Sequence, residues 1–424
     1  MRALEAFDMS DKRILLLGLG MQGKAALHDL SKSDLFSEII VGDKNLDREY
    51  IHEFDSNKVK GVEINASKEE ELSRLMEDVD LVLELLPPGF SFPIAKLAVG
   101  NGVNLVSTMY LQDPKEMDPK KIESRENFLA ELDKKAKEKG IIVLPEFGLD
   151  PGLDLVLAKQ AVRELDEVDE LYCYGAGLPE YEDADNPLKY KFTWSVEGLL
   201  KTYKRPARVL KDGEIIDIKG DEIFSSENVH ELDLDEFEGF LECYPNGNSL
   251  KYAEKLNLKD ELKSIGRYTC RWEGHTDFWR KMVKSDFLDD EPIEVDGKKV
   301  KPVKFVAELL KSQDKFWLKD DERDMILIRV DARGIQNEES VQNLYKLIDK
   351  RDLQTGFTAM QRTVGFTASI GAQLILDGEI DKEGILSPTD IDLALISREI
   401  ENRDIDIEHH IEREDNKNQT SKIR

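Results

Sequence analysis

Arg13-Ile-Leu-Leu-Leu-Gly-Leu-Gly-Met-Gln-Gly23 is the stretch on which the reading of the fold turns. The apolar run Ile14 to Leu17 meets glycines at once, the pattern of a strand buried on both faces that feeds a tight turn. Gly18, Gly20 and Gly23 have the G-x-G-x-x-G spacing, and Lys24-Ala-Ala-Leu-His-Asp-Leu30 behind them reads as a helix. Gly18 permits the turn, Gly20 lets backbone approach a diphosphate, and Gly23 lets helix pack on strand. Met21 and Gln22 lie between them at the helix N-terminus, where unpaired N–H groups and the helix dipole attract phosphate. The context predicts a dinucleotide site lined by Gly18, Gly20, Met21, Gln22 and Gly23.

Working outward, Asp43 stands twenty residues beyond Gly23, at the end of the next apolar run. A carboxylate there accepts hydrogen bonds from ribose hydroxyls and repels a 2′-phosphate, which favours NAD over NADP; Lys44 beside it leaves NADP possible. Further apolar runs at Glu38 to Val41, Asp80 to Leu86, Val103 to Val106 and Ile141 to Leu144 read as strands. Lys68 to Val79 and Arg125 to Lys139 read as covering helices. Leu86-Pro87-Pro88 stops its strand abruptly, either as a plain loop or where cofactor crosses the sheet edge, so Leu86 and Pro87 join the cofactor candidates.

The expected fold class is α/β: an N-terminal Rossmann dinucleotide-binding domain over 11–150 and a second α+β substrate and dimerisation domain over 151–357. In the second domain, Lys211-Asp-Gly213 and Asp296-Gly-Lys-Lys299 read as hairpin turns and Met325 to Asp331 as a strand. Residues 358–399 form a helical segment that returns to the first domain, with Gly365 and Gly371 allowing close packing. Residues 400–424, dense in charge, are expected to be a polar tail.

The 424 residues carry a formal charge of −28, with 40% hydrophobic and 35% charged side chains. A core can form, and so negative a field disfavours nucleic acid or an anionic membrane as partner. Cys173, Cys243 and Cys270 are odd in number and form no C-x-x-C, which indicates neither a disulfide framework nor a zinc site. No metal is called for, and the expected setting is reducing and cytoplasmic. No apolar run approaches the ~20 residues of a spanning helix, and Met1 to Ser10 lacks the pattern of a secretory leader.

The most distinctive segment is Pro145-Glu-Phe-Gly-Leu-Asp-Pro-Gly-Leu-Asp154. Asp150 fits an N-cap with Pro151 at the first helical position, which leaves unexplained why a strand ends in two carboxylates, Asp150 and Asp154. The segment resembles the E-x-G-x-D-P-G-I-D of the saccharopine dehydrogenase family. Ser107-Thr-Met-Tyr110 is similar to its T-S-S-Y, Gly177-Leu-Pro179 to its G-G-L-P, Lys189 to Ser195 to its Y-K-F-S-W-S, and Tyr244-Pro-Asn246 through Ser249 to its Y-P-N-R-D-S. The similarity runs from about Arg13 to Pro388 in unbroken order.

The resemblance implies hydride exchange between a nicotinamide and a carbon bearing nitrogen, giving an imine that water hydrolyses, on an amino acid related to lysine. It implies a homodimer, Tyr110 and Asp150 at the substrate's amino groups, and Ser107, Asp154 and Trp194 lining it. Arg271 could bind a carboxylate and His275 relay protons. Two departures bear on substrate. Gly175 stands where the glutamate-forming reductases have Cys, and Trp194-Ser-Val-Glu197-Gly198 replaces their W-S-x-R-G, so that Glu197 would repel the carboxylate an Arg would clamp. Glu197 onward is closer to the lysine 6-dehydrogenase branch. Lysine 6-dehydrogenase or a carboxynorspermidine-type enzyme is therefore the alternative, and a dinucleotide-binding sensor or scaffold without turnover is the alternative of another class.

Overall fold

The computed structural model describes residues 11–413 apart from 114, 115, 117, 238 and 260. The chain divides into two compact units, one of residues up to 156 with 361–402, the other of 157–360 with the residues from 403.

The first unit begins with β1 (Lys12–Leu17), α1 (Met21–Lys32), β2 (Phe36–Asp43), α2 (Arg48–Ile51), β3 (Val59–Glu63), α3 (Glu69–Met76), β4 (Leu81–Glu84), α4 (Ser91–Asn101), β5 (Asn104–Ser107), α5 (Pro119–Glu138) and β6 (Ile142–Leu144). The strands pair in parallel in the order β3-β2-β1-β4-β5-β6, the Rossmann arrangement. Ile14 to Leu17 are wholly buried, as helices on both faces require. α5 starts with Pro119 behind Asp118, whose carboxylate accepts the Lys120 N–H, and α4 ends at the left-handed Gly102.

α6 (Leu153–Arg163) leads into the second unit, where β7 (Glu167–Pro179) is followed by α7 (Val196–Thr202), β8 (Ala207–Lys211), β9 (Glu214–Ile218), β10 (His230–Asp233), β11 (Phe240–Pro245), α8 (Leu250–Lys255), β12 (Ser264–Trp272) and α9 (His275–Lys284). A small hairpin, β13 (Ile293–Val295) and β14 (Lys298–Val300), precedes α10 (Pro302–Lys311), β15 (Asp324–Gln336) and β16 (Glu339–Lys350). The main path of the large sheet runs β10-β11-β12-β7-β15-β16. Both expected hairpin turns are present: Asp212 with Gly213 and Asp296 with Gly297 take the paired positive φ of a two-residue turn.

α11 (Ala359–Leu376) then carries the chain back to the first unit, where β17 (Gly384–Ile385) extends the parallel sheet beside β6 and α12 (Leu393–Glu401) follows.

Three expectations need correction. Asp150 does not cap a helix with Pro151 at its first position; the Asp150–Pro151 peptide is cis, and α6 starts only at Leu153. The carboxylate that secures this turn is Asp154, accepting the Gly152 N–H at 2.8 Å. A Cβ on Gly152 (φ +143) would lie 2.2 Å from the Gly148 carbonyl oxygen, so the turn closes only over glycine. The polar tail is also ordered in part: Ile400 is buried in α12, and β18 (Ile407–Arg413) pairs antiparallel with β16. The last residues of that tail, 414–424, and Met1 to Ser10 lie outside the described residues. Finally, Cys243 and Cys270 face each other across β11 and β12 as a disulfide, while Cys173 is buried outside that bridge. A lone cross-strand pair has no signature in cysteine spacing.

Asp324, at the start of β15, is buried and accepts the Ala359 N–H at 2.8 Å and the Met360 N–H at 3.3 Å, securing the first turn of α11. Burial pushes its carboxyl up from 3.8 to about 6. A raised folded-state value means stability is lost as pH rises from about 4 to 6. His230 acts oppositely: burial lowers it to about 4, so its contribution is lost as pH falls below 6.5. The two offset each other in the parent, and a single variant separates them. Between pH 4.5 and pH 7, urea denaturation should show Asp324→Asn gaining about 2 kcal/mol relative to the parent. A difference that does not move with pH would refute the assignment.

Candidate active site

The carboxyl edge of the parallel sheet collects the glycine turn and the loops after β4, β5 and β6. Gly18 (φ +97) could not carry a side chain, since a Cβ would lie 2.7 Å from the Leu85 carbonyl oxygen, and one on Gly23 would lie 1.9 Å from the Gly18 oxygen. Gly20 differs: nothing lies within 4 Å of where its Cβ would be. The first and third glycines are thus required by protein packing, and the second by open space in front of the α1 N-terminus. That is the cradle a diphosphate needs. Met21 is exposed at the mouth of this space, and Gln22 follows it in the first turn of α1.

Asp43 closes the turn from the side, with Oδ2 accepting the Leu19 N–H at 2.7 Å and Oδ1 the Asn45 N–H at 2.8 Å. A carboxylate has about four acceptor positions, so a ribose diol can still be held. Leu86 packs against Gly18, while Pro87 is exposed.

Glu84, at the end of β4, is a site residue the sequence reading missed. Its fully buried carboxylate accepts from Ser91, Ser107 and the Leu86 N–H, and burial pushes it up. The signal was one acid closing the apolar Leu81-Val-Leu-Glu84 just before two prolines. The bond it donates to Glu84 explains Ser107, which is fully buried and also accepts the Met109 N–H at 3.0 Å. Ser107 therefore fixes the loop behind the site rather than presenting its hydroxyl. Phe147 N–H to the Ser107 carbonyl and Glu146 N–H to the Met109 carbonyl then join the loops after β5 and β6. This places half-buried Tyr110 and exposed Asp150 on adjacent loops of one edge, with Asp154 buried beneath.

The second unit gathers three further candidates around tyrosines. Trp194 Nε1 donates to the Tyr190 hydroxyl at 3.2 Å, and the Arg271 guanidinium lies 5.1 Å from the Tyr190 ring centre. Arg271 is buried, with one nitrogen on the Cys270 carbonyl. His275 Nε2 is 2.9 Å from the Tyr203 hydroxyl. Burial, reinforced by the Arg271 charge, holds His275 well below its ordinary range, so the ring is neutral. Nε2 and the Tyr203 hydroxyl hold each other in place. Tyr190 lies in the quoted Lys189 to Ser195 motif but was given no role there, and Tyr203 was not singled out, since its partner His275 is 72 positions away. Glu197, three residues beyond Trp194 in the first turn of α7, is bonded to Lys201 at 2.7 Å, which holds its carboxyl below the usual range.

Comparison with known proteins matches residues 14–144 to the saccharopine dehydrogenase NADP binding domain and residues 148–402 to the saccharopine dehydrogenase C-terminal domain. The chain belongs to the saccharopine dehydrogenase family. Among relatives, the alpha-aminoadipic semialdehyde synthase of Arabidopsis thaliana is 27% identical over 81% of this chain and 38% of its own length. The L-glutamate-forming, NADP(+) saccharopine dehydrogenase of Schizosaccharomyces pombe is 25% identical over 90% of this chain and 94% of its own. The chain spans less than half the length of the semialdehyde synthases it matches. The fold is that of the apo L-Glu-forming saccharopine dehydrogenase from Saccharomyces cerevisiae, with a TM-score of 0.79 over 95% of this chain and 100% of that one at 22% identity. The cofactor implied by family and cradle together is a nicotinamide dinucleotide. Among the described residues no helix is long and apolar enough to cross a membrane.

The cradle makes a sharp distinction between two glycines. Gly20→Val should fold with a melting temperature near the parent's and show no dinucleotide binding by calorimetry. Gly23→Val should fail at folding itself, because its side chain meets backbone. Retention of affinity within about twofold by Gly20→Val would disprove the cradle.

Proposed function

We propose that this chain is an NAD(P)-dependent oxidoreductase acting at a CH–NH or CH–NH2 carbon of a lysine-related amino acid, with NAD preferred. The observation that carries this reading is the open space at Gly20 in a chain of this family. Gly18 to Gly23 would hold the diphosphate and Asp43 the adenosine ribose. The bound nicotinamide would supply the hydride acceptor or donor. Tyr110 and Asp150, on neighbouring loops of the same sheet edge, are the groups we assign to the substrate's amine and its proton. Trp194 and Arg271 are assigned to the substrate's apolar and carboxylate portions, and the neutral His275 to holding Tyr203.

Asp43 supports NAD although the relatives' names specify NADP(+). Its two backbone bonds hold a carboxylate beside the glycine turn, and that negative charge would repel a 2′-phosphate on the adenosine ribose. Glu197, bonded to Lys201, supports an amine with fewer carboxylates than saccharopine. We also propose a homodimer, for which the exposed Phe305 and Leu309 on one face of α10 are apolar surface to cover. A cytoplasmic setting rests on the low cysteine content, and the Cys243–Cys270 disulfide weighs against it.

The test is absorbance of reduced nicotinamide with saccharopine, lysine and carboxynorspermidine, each with NAD and NADP. The parent should favour NAD at least tenfold in kcat/KM, about 1.4 kcal/mol, and Asp43→Ala should weaken NAD and narrow the ratio. A parent preferring NADP would show that Asp43 does not select the cofactor. Dinucleotide binding without turnover of any of the three amines would favour the sensor or scaffold.

A further inference from the structure

The dinucleotide turn has a neighbour from the far end of the chain. Gln361, in the first turn of α11, donates from Nε2 to the Met21 carbonyl oxygen at 2.9 Å. One turn along, Gly365 lies so close to α1 that an added Cβ would be 2.7 Å from the Gln22 oxygen and 2.9 Å from Ala25 Cβ. Further on, Ser369 and Gln373 donate to Asp29 at 2.6 and 3.0 Å. α11 is therefore fastened along α1, by a polar contact at the phosphate end, by close backbone approach in the middle and by a buried acid at the other end.

The first of these contacts has a chemical reach the others lack. The peptide group whose oxygen accepts from Gln361 is the one that joins Met21 to Gln22. Its N–H belongs to Gln22, among the first donors of α1, which have no partner within the helix. A hydrogen bond to an amide oxygen draws charge toward that oxygen and makes the N–H of the same amide a better donor. We propose that Gln361 is a positioning residue for the dinucleotide, orienting and polarising the Met21–Gln22 peptide toward the diphosphate. This rests on the dinucleotide reading above and adds to the turn a residue more than three hundred positions away in sequence.

Titration with ADP-ribose, which has the diphosphate, and adenosine, which lacks it, tests the proposal on the full chain. Gln361→Met keeps length and helix preference without the donor. It should raise the ADP-ribose Kd about three- to tenfold and leave adenosine binding, followed by NMR, unchanged. Gln361→Glu presents an acceptor and a negative charge to the same carbonyl and should raise the Kd further. Both variants should melt near the parent, because the residue is only partly buried. Ser369→Ala, at the other end of the same contact, should lower the melting temperature and leave the ADP-ribose Kd alone. An unchanged ADP-ribose Kd in Gln361→Met, or equal loss for adenosine and ADP-ribose, overturns the proposal. A parent that binds no ADP-ribose overturns the dinucleotide reading itself, a result distinguishable from either.

Discussion

The carbonyl of Gly18 and the α-carbon of Gly23 come so near each other that no side chain fits between them. Everything at the sheet edge follows from that approach. It sets α1 directly against the end of β1 and so aims the first N–H groups of α1 into the space before Gly20. Leu19, inside the turn, is then within reach of the Asp43 carboxylate, and Leu85 and Leu86 cover Gly18 from the loop after β4. The buried Glu84 draws the loops after β4 and β5 toward this point. Backbone proximity, bought by two glycines, organises four loops.

Much of this architecture was legible in sequence because it depends on local rules. Both-face burial gave continuous apolar runs at β1, β2, β4 and β5, and positive φ gave Asp-Gly at both hairpins. β3 left no such run, because as an edge strand it is only partly buried and reads Val59-Lys-Gly-Val-Glu63. α4 was obscured by its even apolarity, with Phe92, Ile94, Leu97 and Val99 spread around it. The tail was misjudged because a strand added to a sheet edge can be polar on both faces, and β18 needs only its backbone to pair.

The candidate site was legible by residue type and less so by role. Glycines and Asp43 carry spacing information, and the structure gives each a steric or hydrogen-bonding reason. Asp154 rather than Asp150 secures the turn before α6, since spacing alone does not say which carboxylate meets the turn's N–H group. Ser107 and His275 are polar groups whose bonds are made inside the protein, with Glu84 and Tyr203, partners distant in sequence. Tyr190, Tyr203 and Gln361 matter through pairings that span from four to 340 positions.

β18 has a practical meaning for anyone handling this protein. It forms the outer rail of the large sheet, and its Glu408, His409, His410, Glu412 and Arg413 make that rail unattractive to other strands. His409 also stacks on Tyr345, with ring centres 4.2 Å apart, fastening the rail to β16. Trimming the chain near residue 400 as though the remainder were dispensable would bare the backbone of β16, whose inner positions are almost all apolar or sheltered. Such a shortened protein would be a template for intermolecular strand exchange and insoluble assembly.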